Sequence, residues 1–307
     1  MQRALDLTGQ QLSSLPDSIG KQLVLEELIL DQNRLTSLPA WIGQFTHLKT
    51  LSLYRNQLTS LPESLWQLTD LQTLNLADNQ LSTLSERLGQ FTRLQMLDLG
   101  HNELVSLPGS IGNLGSLAFL YLSNNRLADL PPSMEKLNNL IYLNLTNNQL
   151  VSLPEQIGKL TRLIELRLYD NLFVTLPEAI GRLAQLRELH LMNNQLVRLP
   201  TSMGNLTSLR KLDLQDNRLI DLPESLGALI NLTDLNLRNN HLSALPETVG
   251  NLSNLRYLNL RANRLVTRPE SLGKLSKLEK LDLRWNKLSS LPAWLQRLEE
   301  HGCTVFV

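Results

Sequence analysis

The sequence predicts an α/β solenoid, a right-handed horseshoe with a concave parallel β-sheet and short 3₁₀ or helical segments on its convex side. Three observations carry that reading. An asparagine returns every 23 residues, at Asn33, Asn56, Asn79, Asn102, Asn125, Asn148, Asn171, Asn194, Asn217, Asn240, Asn263 and Asn286, with Gln10 one period upstream. Each stands in one frame, L-x-x-L-x-L-x-x-N-x-L-x-x-L-P, as in Leu25, Leu28, Leu30, Asn33, Leu35, Leu38 and Pro39. No insertion breaks the count. Self-similarity at a fixed period marks stacked units that cannot bury their apolar faces alone and share one continuous core.

Each element follows from the frame. In the repeat around Asn125, Leu120-Tyr121-Leu122 alternates apolar and exposed, the period of a short strand with one face buried. Asn125 follows at the turn, where its amide can serve backbone groups of that turn and of the next repeat that would otherwise be buried unpaired. Leu127 and Leu130 fold back into the core, Pro131 fixes the backbone, and Met134 and Leu137 pack the returning segment. That segment usually reads P-x-x-I-G-x-L, as in Pro154, Ile157, Gly158 and Leu160, and is too short for more than a 3₁₀ or single helical turn. Its Gly is expected to permit the tight exit toward the next strand. Ser85 in place of Pro, Phe173 in place of Leu, and Trp66 and Glu135 in place of Gly read as local repacking. Arg268, where Leu is expected, is read as swinging out to solvent.

Thirteen such frames occupy residues 4–298, and residues 302–307, Gly-Cys-Thr-Val-Phe-Val, read as a capping strand, so 1–307 is expected to be one domain. In strict frame Thr304 and Phe306 point inward; a shift of one residue buries Cys303 and Val305 instead. Both registers fit the sequence.

Composition narrows the function classes. The 29 Lys and Arg balance the 29 Asp and Glu, which argues against a nucleic-acid surface or a polybasic membrane surface. The balance is uneven: residues 1–153 hold 9 basic against 13 acidic side chains, and residues 154–307 hold 20 against 16. No apolar run approaches the ~18 residues that span a bilayer, and Met1-Gln2-Arg3 runs into the first strand without the features of a signal peptide. A single cysteine, Cys303, leaves no disulfide-tied cap, so a reducing, cytoplasmic setting is expected. The sequons at Asn144, Asn205, Asn231 and Asn251 are by-products of the repeat wording.

The wording L-P-x-x-I-G-x-L after N-x-L-x-x resembles the intracellular 23-residue class of leucine-rich repeat proteins, which includes the Ras-linked scaffold, Scribble/Erbin, plant intracellular Ras-group and many bacterial proteins. The resemblance covers residues 4–298 and rests on core and turn residues. It implies protein–protein interaction in the cytoplasm, in signalling or at a host–microbe boundary.

Residues that could carry chemistry are sparse. His47, His101, His190, His241 and His301 lie in different repeats without H-x-x-x-H or paired-carboxylate spacing, so no metal is expected. No phosphate-binding glycine motif follows a strand, and Cys303 near His301 lacks a third group or an oxyanion donor, so neither a cofactor nor catalysis is expected.

The side chains that face the concave side carry the functional reading. All five tyrosines fall there: Tyr54, Tyr121, Tyr142, Tyr169 and Tyr257. Met96, Phe119, Tyr121 and Tyr142 occupy three successive strands, with Arg167, Tyr169, His190 and Met192 on the next two. Aromatics with polar handles and adaptable Met are enriched at binding hot spots. Toward the C-terminus Arg238, Arg261 and Arg284 recur in one column with Trp285 adjoining, a place for an acidic segment or phosphate. The expectation is a monomeric, non-catalytic binding module or signalling scaffold taking a protein or peptide on the concave face. Two other readings are the repeat part of a larger enzyme-linked protein or bacterial effector acting on host proteins, and a structural solenoid self-associating through its open N-terminal edge.

Overall fold

The computed structural model describes residues 3–266, 270–288 and 293–307; Arg268, read above as swinging out to solvent, lies outside them. The chain divides into two compact units, Met1–Gln149 and Leu150–Val307. In the first, the strands are Ala4–Asp6 (β1), Glu27–Ile29 (β2), Thr50–Ser52 (β3), Thr73–Asn75 (β4), Met96–Asp98 (β5), Phe119–Tyr121 (β6) and Tyr142–Asn144 (β7). They pair in chain order, all parallel, each residue opposite its equivalent 23 positions on. In the second they are Glu165–Arg167 (β8), Glu188–His190 (β9), Lys211–Asp213 (β10), Asp234–Asn236 (β11), Tyr257–Asn259 (β12), Lys280–Asp282 (β13) and Thr304–Phe306 (β14), again parallel neighbours in chain order. Each unit is a stretch of leucine-rich solenoid with strands in one layer, 3₁₀ segments in another, and the repeat leucines buried between them.

The asparagines bind the repeats together, and they do so backwards. In the first unit the Asn148 side-chain oxygen accepts the Leu127 N–H at 3.0 Å, while its amide donates to the carbonyls of Leu122 at 3.0 Å, Leu145 at 3.1 Å and Thr146 at 3.2 Å. Two of those partners lie in its own repeat and two in the repeat before it. In the second unit Asn194 takes the Phe173 N–H and donates to Leu168, Leu191 and Met192, all at 3.1 Å. The expected service to the next repeat is therefore corrected to the preceding one. Gln10, the one position of the series without Asn, stands exposed. The residue before each Asn of the series lies in the left-handed region, from Gln32 at φ 55° to Trp285 at φ 61°. Asn or Asp fill seven of those twelve positions among the described residues, the residue types that tolerate this conformation best.

Most return segments are five-residue 3₁₀ turns such as Ala40–Gln44 and Thr201–Asn205, these two led in by an extended proline. Their glycine does not owe its place to a tight exit, as the sequence suggested: none of these glycines has positive φ among the described residues. The cause is close stacking. A Cβ on Gly204 would stand 2.4 Å from the Ser225 carbonyl oxygen of the next segment, and on Gly43 it would stand 2.4 Å from that of Ser64. Trp66 occupies one such position and stays buried, its ring 5.6 Å from Phe91 beside a cleft of about 220 Å³ lined by Leu61 and Leu84 among others. Ser85 does more than repack, because its hydroxyl caps the following turn by accepting the Arg87 N–H at 3.2 Å. Phe173 is wholly buried.

The last repeat departs from the rest. Gln296 replaces the glycine, and the segment becomes an eight-residue helix, Ala293–Glu300 (α1). Leu295, Leu298 and Trp294 on α1 are buried. β14 pairs with Leu281 opposite Val305, so the shifted register holds and Cys303 is the buried residue. Its thiol is pushed up to about 11, by burial first and the Glu299 carboxylate second, which suits packing and not nucleophilic attack.

Glutamates also join adjacent 3₁₀ turns. Glu86 accepts the N–H groups of Ser110 at 2.8 Å and Gly109 at 2.9 Å, and Glu178 those of Ser202 at 2.9 Å and Thr201 at 3.1 Å. Ser110 foremost, and Ser202 foremost, hold these carboxyls below the usual glutamate range. A depressed folded-state pKa adds stability above the unfolded value of about 4.3, and that stability is lost as pH falls through the folded value.

Three outcomes are expected from thermal and chemical unfolding. Asn148→Ala should cost about 1–3 kcal/mol, since it strands buried backbone groups of two repeats. Gly204→Ala should cost about 1–3 kcal/mol through overpacking, whereas Gly115→Ala, where an added Cβ meets nothing within 4 Å, should not. A Glu86→Gln/Glu178→Gln variant should lose less stability than the wild type as pH is lowered from about 5 to 3.

Candidate binding face

A three-residue strand with a buried central leucine offers its flanking side chains to the open side of the sheet. The column after the central leucine has a structural task in most repeats. Asp6, Asn75, Asp98, Asn144, Asp213, Asn236, Asn259 and Asp282 each accept the backbone N–H two residues on, at 2.9–3.2 Å. This bond closes the strand end as an Asx turn. Ile29 and Ser52 break the series; in the repeat of Ser52, Asp31 supplies the missing acceptor, taking the Tyr54 N–H at 2.9 Å and the Ser52 hydroxyl at 2.6 Å. The other three departures are Tyr121, Arg167 and His190, where a larger side chain replaces the local acceptor.

In the first unit the structure brings four of the anticipated residues together. Met96, Phe119 and Tyr142 are in register on β5, β6 and β7. The Tyr121 and Tyr142 rings lie 4.9 Å apart, tilted by 39°. Phe119 is 40% exposed, and Met96, Tyr121 and Tyr142 are half-buried, so the cluster presents apolar area without leaving the sheet. Asp98 lies beside it, its carboxyl pushed above the usual range by burial, although the Gly100 N–H works against that. Tyr54 follows β3, with all of β4 between it and this cluster, and does not join it.

In the second unit Arg167 and His190 are in register on β8 and β9, and Tyr169 and Met192 follow them, half-buried. The Arg167 Nε donates to Glu165 Oε1 at 2.6 Å. His190 is buried, with its Nε2 3.1 Å from Glu188 Oε2 and 3.9 Å from Glu165 Oε1. Further along, the three arginines are not a bare column. Arg284 grips Asp282 through Nε at 3.0 Å and a second guanidinium nitrogen at 2.5 Å, and Arg261 lies over the Trp285 ring at 3.8 Å. Burial opposes ionisation of Asp282, but Arg284 and then Arg261 hold its carboxyl below the usual range. Arg238 is half-buried, while Trp285 is 67% exposed and caps this end of the face.

Sequence reasoning missed a second feature of the same unit. An open depression of about 280 Å³ lies across β10 to β13, lined among others by Lys211, Asp213, Asp234, Tyr257, Lys280 and Asp282. The signal was available: Lys211, Asp234, Tyr257 and Lys280 are consecutive members of one outward column, alternating in charge around a tyrosine. The grouping of Glu165, Glu188 and His190 is likewise invisible to short local spacings, because the sheet joins positions 23 apart.

The family model described as Leucine-rich repeat region matches residues 84–170 and 132–244, that described as Leucine rich repeat matches 24–81, and a further Leucine Rich Repeat model matches 254–275 and 277–298. The chain belongs to the leucine-rich repeat family. Among solved structures it is similar to an LRR protein of Leptospira interrogans, at 32% identity over 99% of this chain and 95% of that one, with a TM-score of 0.68. It is also similar to the plant peptide hormone receptor RGFR1 in complex with RGF2, at 32% identity over 99% of this chain and 55% of the receptor chain, with a TM-score of 0.82. The ectodomain of the Arabidopsis receptor kinase HAESA, in complex with an IDA peptide hormone ligand, is 33% identical over 95% of this chain and 51% of its own, with a TM-score of 0.77. The chain thus spans about half the length of these two receptor chains. Comparison with curated protein sequences gave no match. No helix among the described residues is long and apolar enough to cross a membrane.

The tyrosine pair has a measurable worth. A double-mutant cycle of Tyr121→Ala and Tyr142→Ala in urea unfolding should return a coupling of about 0.5–1.5 kcal/mol, with both variants folded.

Proposed function

We propose that this chain is a non-catalytic protein- or peptide-binding module that works from the concave sheet face. The observation that carries the reading is the break in the Asx column. Most repeats spend that outward position on closing their own strand, and the repeats of Tyr121, Arg167 and His190 place a larger side chain there. Met96, Phe119 and Tyr142 adjoin the first of these, and Tyr169 and Met192 the other two. An aromatic, half-buried surface of this kind offers rigid contact area at low entropic cost. Two similar solved structures hold peptide hormones, which supports a peptide or an extended protein segment as the ligand class.

The role is that of a cytoplasmic scaffold, monomeric, with one domain over residues 1–307. The unbroken 23-residue count through residues 149 and 150 and the single cysteine support it. Arg167, Arg238, Arg261, Arg284 and Trp285 supply the charged and aromatic rim. Arg284 is already neutralised by Asp282, so the rim governs approach of a ligand more than its hold.

A Tyr121→Ala/Tyr142→Ala variant should fold, and should lose at least about 2 kcal/mol of affinity for a partner captured by the wild type. Capture from source lysate followed by calorimetry measures it. Undiminished capture of every partner by the folded variant would overturn the site. Concentration-dependent sedimentation would instead favour a self-associating solenoid, and a longer reading frame with an enzymatic domain would favour the enzyme-linked alternative.

A further inference from the structure

We propose that Glu165, Glu188 and His190 form a binding site for a divalent transition-metal ion of the zinc class, with one coordination position left open on the sheet face. The three residues come from β8 and β9, and one donor atom of each lies within 4.8 Å of the others. Glu165 and Glu188 are directly opposite one another in the parallel register. Like charges so placed repel, and the arrangement calls for a cation between them. Arg167 meets part of that demand at Glu165; Lys211 stands opposite Glu188 on β10, yet among the described residues no Lys or Arg comes within 4.0 Å of the Glu188 carboxylate, whose side-chain partner is the imidazole.

The donor geometry is near that of a three-ligand site. Metal–nitrogen and metal–oxygen bonds of roughly 2.0–2.2 Å place tetrahedral ligand atoms about 3.3–3.5 Å apart. His190 Nε2 already stands 3.1 Å from Glu188 Oε2 and 3.9 Å from Glu165 Oε1, so closure needs a small swing of Glu165. The imidazole is held at 9% side-chain exposure beneath the carboxylates, which are 22% and 42% exposed, so it is oriented before any ion arrives. One imidazole with two carboxylates suits zinc and its neighbours, while magnesium and calcium prefer oxygen ligands throughout. Three protein ligands leave a fourth position for water or a ligand group. The site does not depend on the peptide-binding reading.

Calorimetric titration of the intact chain with Zn(II) at about pH 7.5 tests it, with Co(II) absorption as a second readout. The expected result is saturable binding of one equivalent. His190→Ala and Glu188→Gln should each weaken it by at least about tenfold, while His101→Ala and His241→Ala leave it unchanged. Arg167→Met should tighten it, because the guanidinium competes with the ion for Glu165; a purely structural triad predicts no such gain. Glu188→Gln changes a half-exposed side chain at constant size, so it decides the matter even if His190→Ala misfolds. Absence of saturable binding up to about 1 mM, or binding equal in wild type and Glu188→Gln, which marks an adventitious ion only, would overturn the site.

Discussion

Everything in this structure depends on the asparagine amide that reaches from one repeat into the repeat before it. A three-residue strand makes few backbone bonds of its own, and the turn that follows it folds buried peptide groups into an apolar core. Unpaired, each such group would cost about 1–3 kcal/mol. One Asn side chain, Asn148 for instance, bonds four backbone groups at once, taking one N–H and sharing its two amide hydrogens among three carbonyls. Because the partners are split between two repeats, the same bonds that close a turn also set the stacking register. The strict period of 23 is a consequence: an inserted residue would move the amide off partners 21 and 26 positions upstream.

The second constraint acts on the other layer. The 3₁₀ turns approach so closely that a Cβ on Gly43 or Gly204 would enter the van der Waals shell of a neighbouring carbonyl. Glycine there is a matter of contact between repeats, not of backbone torsion. At two of the positions without glycine, the surroundings differ. Trp66 stands beside a cleft, and Gln296 accompanies the only α-helix among the described residues. The glutamates that span adjacent turns, Glu86 and Glu178, answer the same proximity with hydrogen bonds.

Function is written in the positions that these constraints leave over. The outward column following the central leucine is mostly used up by Asx bonds, so its exceptions are informative in a way that its composition is not. Tyr121 adds a ring against Tyr142, and His190 lies under two glutamates. At the C-terminal end Arg261 and Arg284, which look like part of a bare cationic stripe in one dimension, are drawn onto Asp282, Trp285 and Phe306.

The repeat frame alone determined the strand positions, the buried leucines and the 3₁₀ turns, because a single period forces every repeat to solve the same packing problem. It also located the aromatic cluster, since Met96, Phe119 and Tyr142 differ by multiples of 23 and must be neighbours on adjacent strands. Only the tertiary structure decided the rest. The direction of the asparagine bonds, the register of Val305 against Leu281, the partners of Arg261 and Arg284, and the meeting of Glu165 with Glu188 and His190 all turn on where side-chain atoms come to rest. Periodicity fixes which residues are neighbours to within a strand. Whether two of them hydrogen-bond, stack or face one another across a few ångströms depends on rotamers and local charge, which no one-dimensional pattern encodes.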